Sequence, residues 1–160
     1  MDGKGVGADR ASNDGREAGE SGKGSIEAVH SASAPAAIGP YSQAVAGAGL
    51  LFVSGQLALL PQSGELRDGS IEEEAGQALA NALAIVREAG LGPADVLKTT
   101  VFLTDLALYP QVNIVYEAAF EGWRPARSVV EVSRLPRGAR IEVEMIAATR
   151  RPRGDEERNG

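Results

Sequence analysis

Between about residue 26 and residue 149 the apolar positions switch between a two-residue and a near-3.6-residue repeat, and each switch marks an element. Ile26 to His30 reads as a short edge strand and Pro35 to Pro40 as a loop. Leu50-Leu51-Phe52-Val53-Ser54-Gly55-Gln56 predicts a strand. Gly47 and Gly49 supply a turn ahead of it, through which Tyr41 to Ala46 can pair with it as a hairpin. Pro61 to Gly69 is rich in turn formers and is expected at the surface. Ser70 followed by Glu73 forms a capping box. Ile71, Ala75, Ala78, Leu79, Ala82, Ile85, Val86 and Ala89 then recur at helical spacing up to Gly90, a natural stop. Val96 to Leu103 is β-branched and strand-like. A second helix is expected over about Leu108 to Phe120, with Val112, Val115, Tyr116, Ala119 and Phe120 on one face and Pro110 in its first turn. Arg127 to Ser133 and Arg140 to Thr149 close the pattern as two strands. The intervening Leu135-Pro136-Arg137-Gly138 suggests that they pair antiparallel.

This order describes an α+β domain on a ferredoxin-like plan, one sheet with two helices on one face. The opposite face is expected to be apolar too, through residues such as Val129 and Val101. An apolar sheet face with nothing in the chain to cover it meets a partner subunit, so a homo-oligomer is expected.

Composition changes the picture at the ends. Residues 1–25 are rich in Gly, Ser and charge and cannot bury enough apolar surface to offset their ordering entropy, so a disordered leader is expected. Residues 151–160 read as a solvated, disordered tail. The remaining 26–150 suffice for one domain, and 43% hydrophobic content over 160 residues supports a globular core. The absence of cysteine removes disulfides, thiol nucleophiles and thiolate metal sites. A formal charge of -6 argues against nucleic-acid binding. No apolar run approaches the roughly 20 residues of a membrane helix. The acidic first residues resemble neither a signal nor a transit peptide. A cytoplasmic protein with no membrane partner is expected.

Candidate chemistry is sparse. Strand alternation puts Arg127, Val129 and Glu131 on one face, and Glu142 with Glu144 on one face of the last strand. If those strands pair, Arg127 and Glu142 can converge. A guanidinium fork grips a carboxylate bidentately, and a nearby carboxylate can hold or activate a water. An exposed cross-strand ion pair accounts for the same residues from spacing alone. His30, the one histidine, lies close to the leader and offers neither a metal cluster nor a triad. Ser54-Gly55-Gln56 lacks a nucleophile elbow and reads as a strand end, although Ser54 can line a pocket. Tyr41 follows the rigid Gly39-Pro40 and suits a pocket wall. Glu72-Glu73-Glu74 reads as a first helical turn favoured by the helix dipole.

Several long segments resemble one family in order. They are Ala34 to Val45 (APAAIGPYSQAV), Val53-Ser54-Gly55-Gln56, Val96 to Leu106 (VLKTTVFLTDL) and Val112-Asn113-Ile114-Val115-Tyr116, then Pro125-Ala126-Arg127-Ser128 and Leu135 to Glu144 (LPRGARIEVE). Over about Val29 to Arg150 the chain resembles the RidA/YjgF family, the reactive intermediate deaminases. The resemblance implies a chorismate-mutase-like fold, a mixed sheet backed by two helices, assembled as a homotrimer with clefts at the subunit interfaces. It implies hydrolysis of 2-imino and enamine acids to 2-oxo acids and ammonia, sparing pyridoxal-phosphate enzymes from damage, with no cofactor. It assigns the substrate carboxylate to Arg127 and the attacking water to Glu142. Tyr41, Ser54 and Gly55 would line the cleft, and Asn113 would lie close to it. Two departures stand out. Val129 occupies a position where some bacterial members have cysteine, and Arg124 precedes Pro125 where an aromatic is usual, with Trp123 available to fill that space. A non-catalytic module that binds 2-oxo acids would keep Arg127 without needing Glu142. An endoribonuclease or translation inhibitor is disfavoured by the acidic composition and the lone histidine.

Overall fold

The computed structural model of the chain describes residues 25–149. Apart from Ser25, the expected leader and tail lie outside the described residues. Six strands form one sheet: β1 (Glu27–Val29), β2 (Ala44–Gly47), β3 (Leu50–Leu57), β4 (Val96–Leu103), β5 (Ala126–Glu131) and β6 (Ile141–Ala148). Two helices, α1 (Ile71–Glu88) and α2 (Tyr109–Ala119), pack together and α1 lies across β3 and β6. The spatial order is β1-β2-β3-β6-β4-β5. Only β4 and β5 are parallel, joined by α2 as a crossover, and every other pair is antiparallel. The sheet is therefore mixed and the domain α+β, as expected.

The local signals act as read. The Ser70 hydroxyl accepts from the Glu73 amide at 3.2 Å while the Glu73 carboxylate accepts from the Ser70 amide at 3.0 Å, which closes the capping box. Gly90 follows the helix at φ +74°, a left-handed conformation open to glycine at little cost. α2 starts without a side-chain cap of its own. Asp105 instead caps a 3-10 turn over Leu106–Leu108 that feeds directly into it.

Two expectations are corrected. The last two strands do not pair, because β6 enters the slot between β3 and β4 and leaves β5 at the edge. The physical reason lies in burial. Ile141, Val143, Met145 and Ala147 are all essentially inaccessible, which suits a central strand, whereas β5 exposes Ser128, Val130 and Glu131. Val101 and Val129 do not lie on the open face. Val101 is in the core under the helices, and Val129, opposite it across β4/β5, packs against the same core. The large apolar groups left exposed include Phe52, Leu97 and Val130.

Glu74 lies in the first turn of α1, as expected, and is buried there. It is 5% exposed, and its carboxylate accepts from the Arg140 Nε at 2.9 Å and Nη2 at 2.7 Å. The pair ties the start of α1 to the residue before β6. Arg140→Ala would leave that buried carboxylate without its cation, a loss of 3–5 kcal/mol for a wholly buried pair. Water reaches this guanidinium, so we expect about 2–3 kcal/mol and a drop in Tm on the order of 10 °C by thermal unfolding. An unchanged melt would mean that water replaces the pair at no cost.

Candidate functional site

Arg127 stands near the start of edge strand β5, in register with Thr99 of β4. Thr99 is buried on the helix side, so Arg127 reaches toward α2. Its guanidinium lies 4.4 Å from the Tyr116 ring centroid and 5.4 Å from that of Tyr109. Its Nη2 donates to the Tyr109 hydroxyl at 2.8 Å. The Tyr116 hydroxyl is in turn bonded to Thr99 Oγ1 at 2.7 Å. Burial pushes the Tyr116 phenol pKa up, against the opposing effects of the Thr99 hydrogen bond and the Arg127 charge. Two aromatic faces and one hydrogen bond thus hold the fork, each cation–π contact contributing about 0.5–2 kcal/mol. Among the described residues no carboxylate comes within ion-pair distance of it. A guanidinium fixed in this way is prepared for an external anion. It lines a cleft of about 790 Å³ with Asn113, Tyr109, Tyr116, Trp123 and Val129. Trp123 is pinned there by its indole N–H, which donates to the Val96 carbonyl at 2.7 Å.

Glu142 belongs to a second cleft, of about 460 Å³, together with Tyr41, Ser54, Gly55 and Pro136. The β3/β6 register shifts between Val53 and Gln56, a bulge that turns Ser54 and Gly55 out of the regular alternation. The Ser54 hydroxyl donates to the Ser42 carbonyl at 2.7 Å, fastening the Tyr41 loop to β3. Gln43 is buried and fastens the same wall. Its carboxamide accepts from the Ser31 amide at 2.7 Å and donates to the Pro35 carbonyl at 2.7 Å. Gly55 leaves room for Glu142, since a Cβ there would overlap the carboxylate. Burial raises the Glu142 pKa above its ordinary value, and the negative charge of Glu144 raises it further.

Arg127 and Glu142 do not converge within one protomer. Strand β4 lies between theirs, and Glu142 sits on the face opposite the buried Ile141 and Val143. Arg127 is level with Thr99 and so with Met145, three positions along β6 from Glu142. That puts the two backbones roughly 10 Å apart across the strands and about 10 Å apart along them, with side chains on opposite faces. Arg127 and Asn113 therefore share one cleft, and Tyr41, Ser54, Gly55 and Glu142 share another. Tyr109, Tyr116 and Gln43 were not among the expected site residues. For the tyrosines the signal is their seven-residue spacing on α2, which stacks two aromatic polar heads on one helical face. Among the described residues no cluster of His, Cys, Asp and Glu is placed to hold a metal ion, and no helix is long and apolar enough to cross a membrane.

Comparison with known proteins agrees with the fold. The model of a family described as endoribonuclease L-PSP matches residues 31–149. The chain is 47% identical over 119 residues to the 2-iminobutanoate/2-iminopropanoate deaminase of Mus musculus, covering 74% of this chain and 88% of that one. It is 46% identical over 121 residues to a RutC family protein of Sinorhizobium fredii, covering 76% and 96%. Among solved structures it is similar to the YjgF gene product of E. coli, at 44% identity and TM-score 0.74 over 78% of this chain and 99% of that one. It is also similar to E. coli TdcF with bound serine, at 39% identity and TM-score 0.72 over 76% and 98%. The chain belongs to the RidA/YjgF family, to which the endoribonuclease L-PSP model and the RutC and imine-deaminase names also attach.

Proposed function

We propose that this protein hydrolyses 2-imino acids and their enamine tautomers, such as 2-iminopropanoate and 2-iminobutanoate, to 2-oxo acids and ammonia. The active unit is a homotrimer in which Arg127 of one protomer faces Glu142 of its neighbour. The observation that carries this reading is the division of the chemistry. An unpaired, rigidly held cation and a partly buried carboxyl each sit in a separate cleft, too far apart for one small acid to touch both. Two copies brought edge to face would complete the site. Phe52, Leu97 and Val130 supply exposed apolar surface for such contacts. The names of the mammalian relatives support the substrate class.

The chemistry needs no protein nucleophile. An imine carbon is already electrophilic. Arg127 seats the carboxylate and fixes the C2 carbon. Glu142 takes a proton from water as the oxygen adds to C2 and passes it to the nitrogen, giving a carbinolamine. It then relays the new hydroxyl proton to the same nitrogen, the C–N bond breaks, and ammonia leaves as the 2-oxo group forms. A carboxyl whose pKa is raised is a stronger proton acceptor than an ordinary one. The endoribonuclease description of the family points instead to RNA. A net charge of -6 and a single, exposed histidine, His30, give that reading little to work with.

The test generates 2-aminoacrylate from serine with a dehydratase and follows decay of the imine absorbance. Acceleration in proportion to added protein is expected, and decay no faster than the blank overturns the proposal. The same assay checks Gly55→Ala. The new methyl pushes aside a flexible carboxylate end, not backbone, so Tm should hardly move. Displacing the Glu142 carboxylate by about 1 Å should cost on the order of 10²-fold in kcat. Full activity in this variant would show that the carboxylate position is not critical.

A further inference from the structure

The Tyr109 hydroxyl accepts a hydrogen bond from Arg127 Nη2 at 2.8 Å, and among the described residues its own proton has no acceptor. The neighbouring Tyr116 hydroxyl differs, being engaged with Thr99 at 2.7 Å. A phenol carries one O–H donor, and a guanidinium carries five N–H donors, of which Tyr109 takes one. The two side chains line the same cleft. A hydrogen bond received from a cation polarises the phenol and makes its O–H a stronger donor. The cleft therefore presents a fork of N–H groups with a free O–H directly beside it. A carboxylate seated on the fork would carry its C2 substituent toward that O–H. A 2-oxo or 2-imino acid offers an oxygen or nitrogen lone pair at C2, whereas a plain aliphatic acid offers only C–H.

We propose that Tyr109 is a ligand-binding residue which, beside Arg127, selects acids bearing an acceptor atom at C2. The inference rests on the carboxylate-binding role given to Arg127 and deepens it. The ring of Tyr109 also touches the guanidinium, so a purely positioning role predicts a different outcome from direct recognition, and binding measurements separate the two.

Pyruvate and propanoate share a carboxylate and a three-carbon chain and differ at C2. Their affinities for the full-length protein can be measured by ligand-observed NMR in wild type, Tyr109→Phe and Arg127→Ala. Tyr109→Phe keeps the ring and its packing. It is expected to weaken pyruvate about tenfold, the loss of one hydrogen bond in a polarised site, and to change propanoate less than about twofold. Equal weakening of both acids would make Tyr109 only a support for Arg127 and overturn the proposal, as would no change in either. Equal pyruvate affinity in wild type and Arg127→Ala would instead remove the carboxylate-site reading itself, and this inference with it. Circular dichroism of each variant checks that the fold is kept.

Discussion

Arg127→Ala is expected to lower kcat/KM for 2-iminopropanoate by on the order of 10²–10⁴-fold while the protein stays folded. A hydrogen bond to a charged group contributes about 1.5–3 kcal/mol, and a bidentate grip makes two of them. Each 1.4 kcal/mol is a factor of ten. Stability should suffer much less. Arg127 has no partner carboxylate among the described residues, so its removal leaves no orphaned charge. What is lost is one hydrogen bond to Tyr109 and two ring contacts, about 1–2 kcal/mol at a partly exposed site. The corresponding Tm shift is about 3–7 °C. Arg127→Lys should fall between the two, since it keeps the charge but loses the planar fork and its stacking on Tyr116. Steady-state rates with in situ generated imine, read beside thermal melts, check both halves of the expectation. Equal rates for wild type and Arg127→Ala would dissolve the site assignment.

Local signals were legible where the physics is local. The Ser70/Glu73 box, the Gly90 stop and the β2/β3 hairpin each depend on residues close in sequence, and each stands where it was read. α2 starts at Tyr109, one residue from the expected Leu108, although its nearest capping group, Asp105, serves a preceding 3-10 turn and not the helix itself. Strand order was not legible in the same way. The reading took neighbours in sequence for neighbours in space, and so paired β5 with β6. Two patterns pointed to the right answer. The fully buried inward row of β6 belongs at a sheet centre, and the polar, exposed β5 belongs at an edge. Which strands fill the slot is decided by burial over the whole sheet, which no window of a few residues contains.

The site shows the same division. Arg127, Glu142, Tyr41, Ser54, Gly55 and Asn113 all line clefts. Their grouping could not be read from alternation alone. Alternation places a residue on a face only once the strand order is known, and the open face was wrongly populated with Val101 and Val129. Nor did any motif announce the aromatic clamp. Tyr116 was read as part of an apolar helical stripe, and it does pack there against Phe120, with ring centroids 4.6 Å apart. Its second role, as the platform under Arg127, depends on a strand that arrives later in the chain.

Because Arg127 and Glu142 are separated within the protomer, the proposed trimer predicts that two inactive variants restore each other. Arg127→Ala retains Glu142, and Glu142→Ala retains Arg127. In a trimer assembled at random from equal amounts, a given interface has an intact Arg127 half the time and an intact Glu142 half the time. About a quarter of all sites should therefore be complete, and activity should rise from near zero to about a quarter of wild type. Simple mixing of preformed trimers should do nothing until subunits exchange, so the variants are co-expressed, or unfolded and refolded together. Size-exclusion chromatography with light scattering tests whether the assembly is the proposed trimer. Recovery to this level requires that the two side chains come from different copies. If both acted from a single protomer, no arrangement of the mixture would contain an intact site, and activity would stay at the sum of the two parents. That result would return the reading to one protomer, where β4 and the opposite facing of the two side chains leave no route for a small acid to touch both.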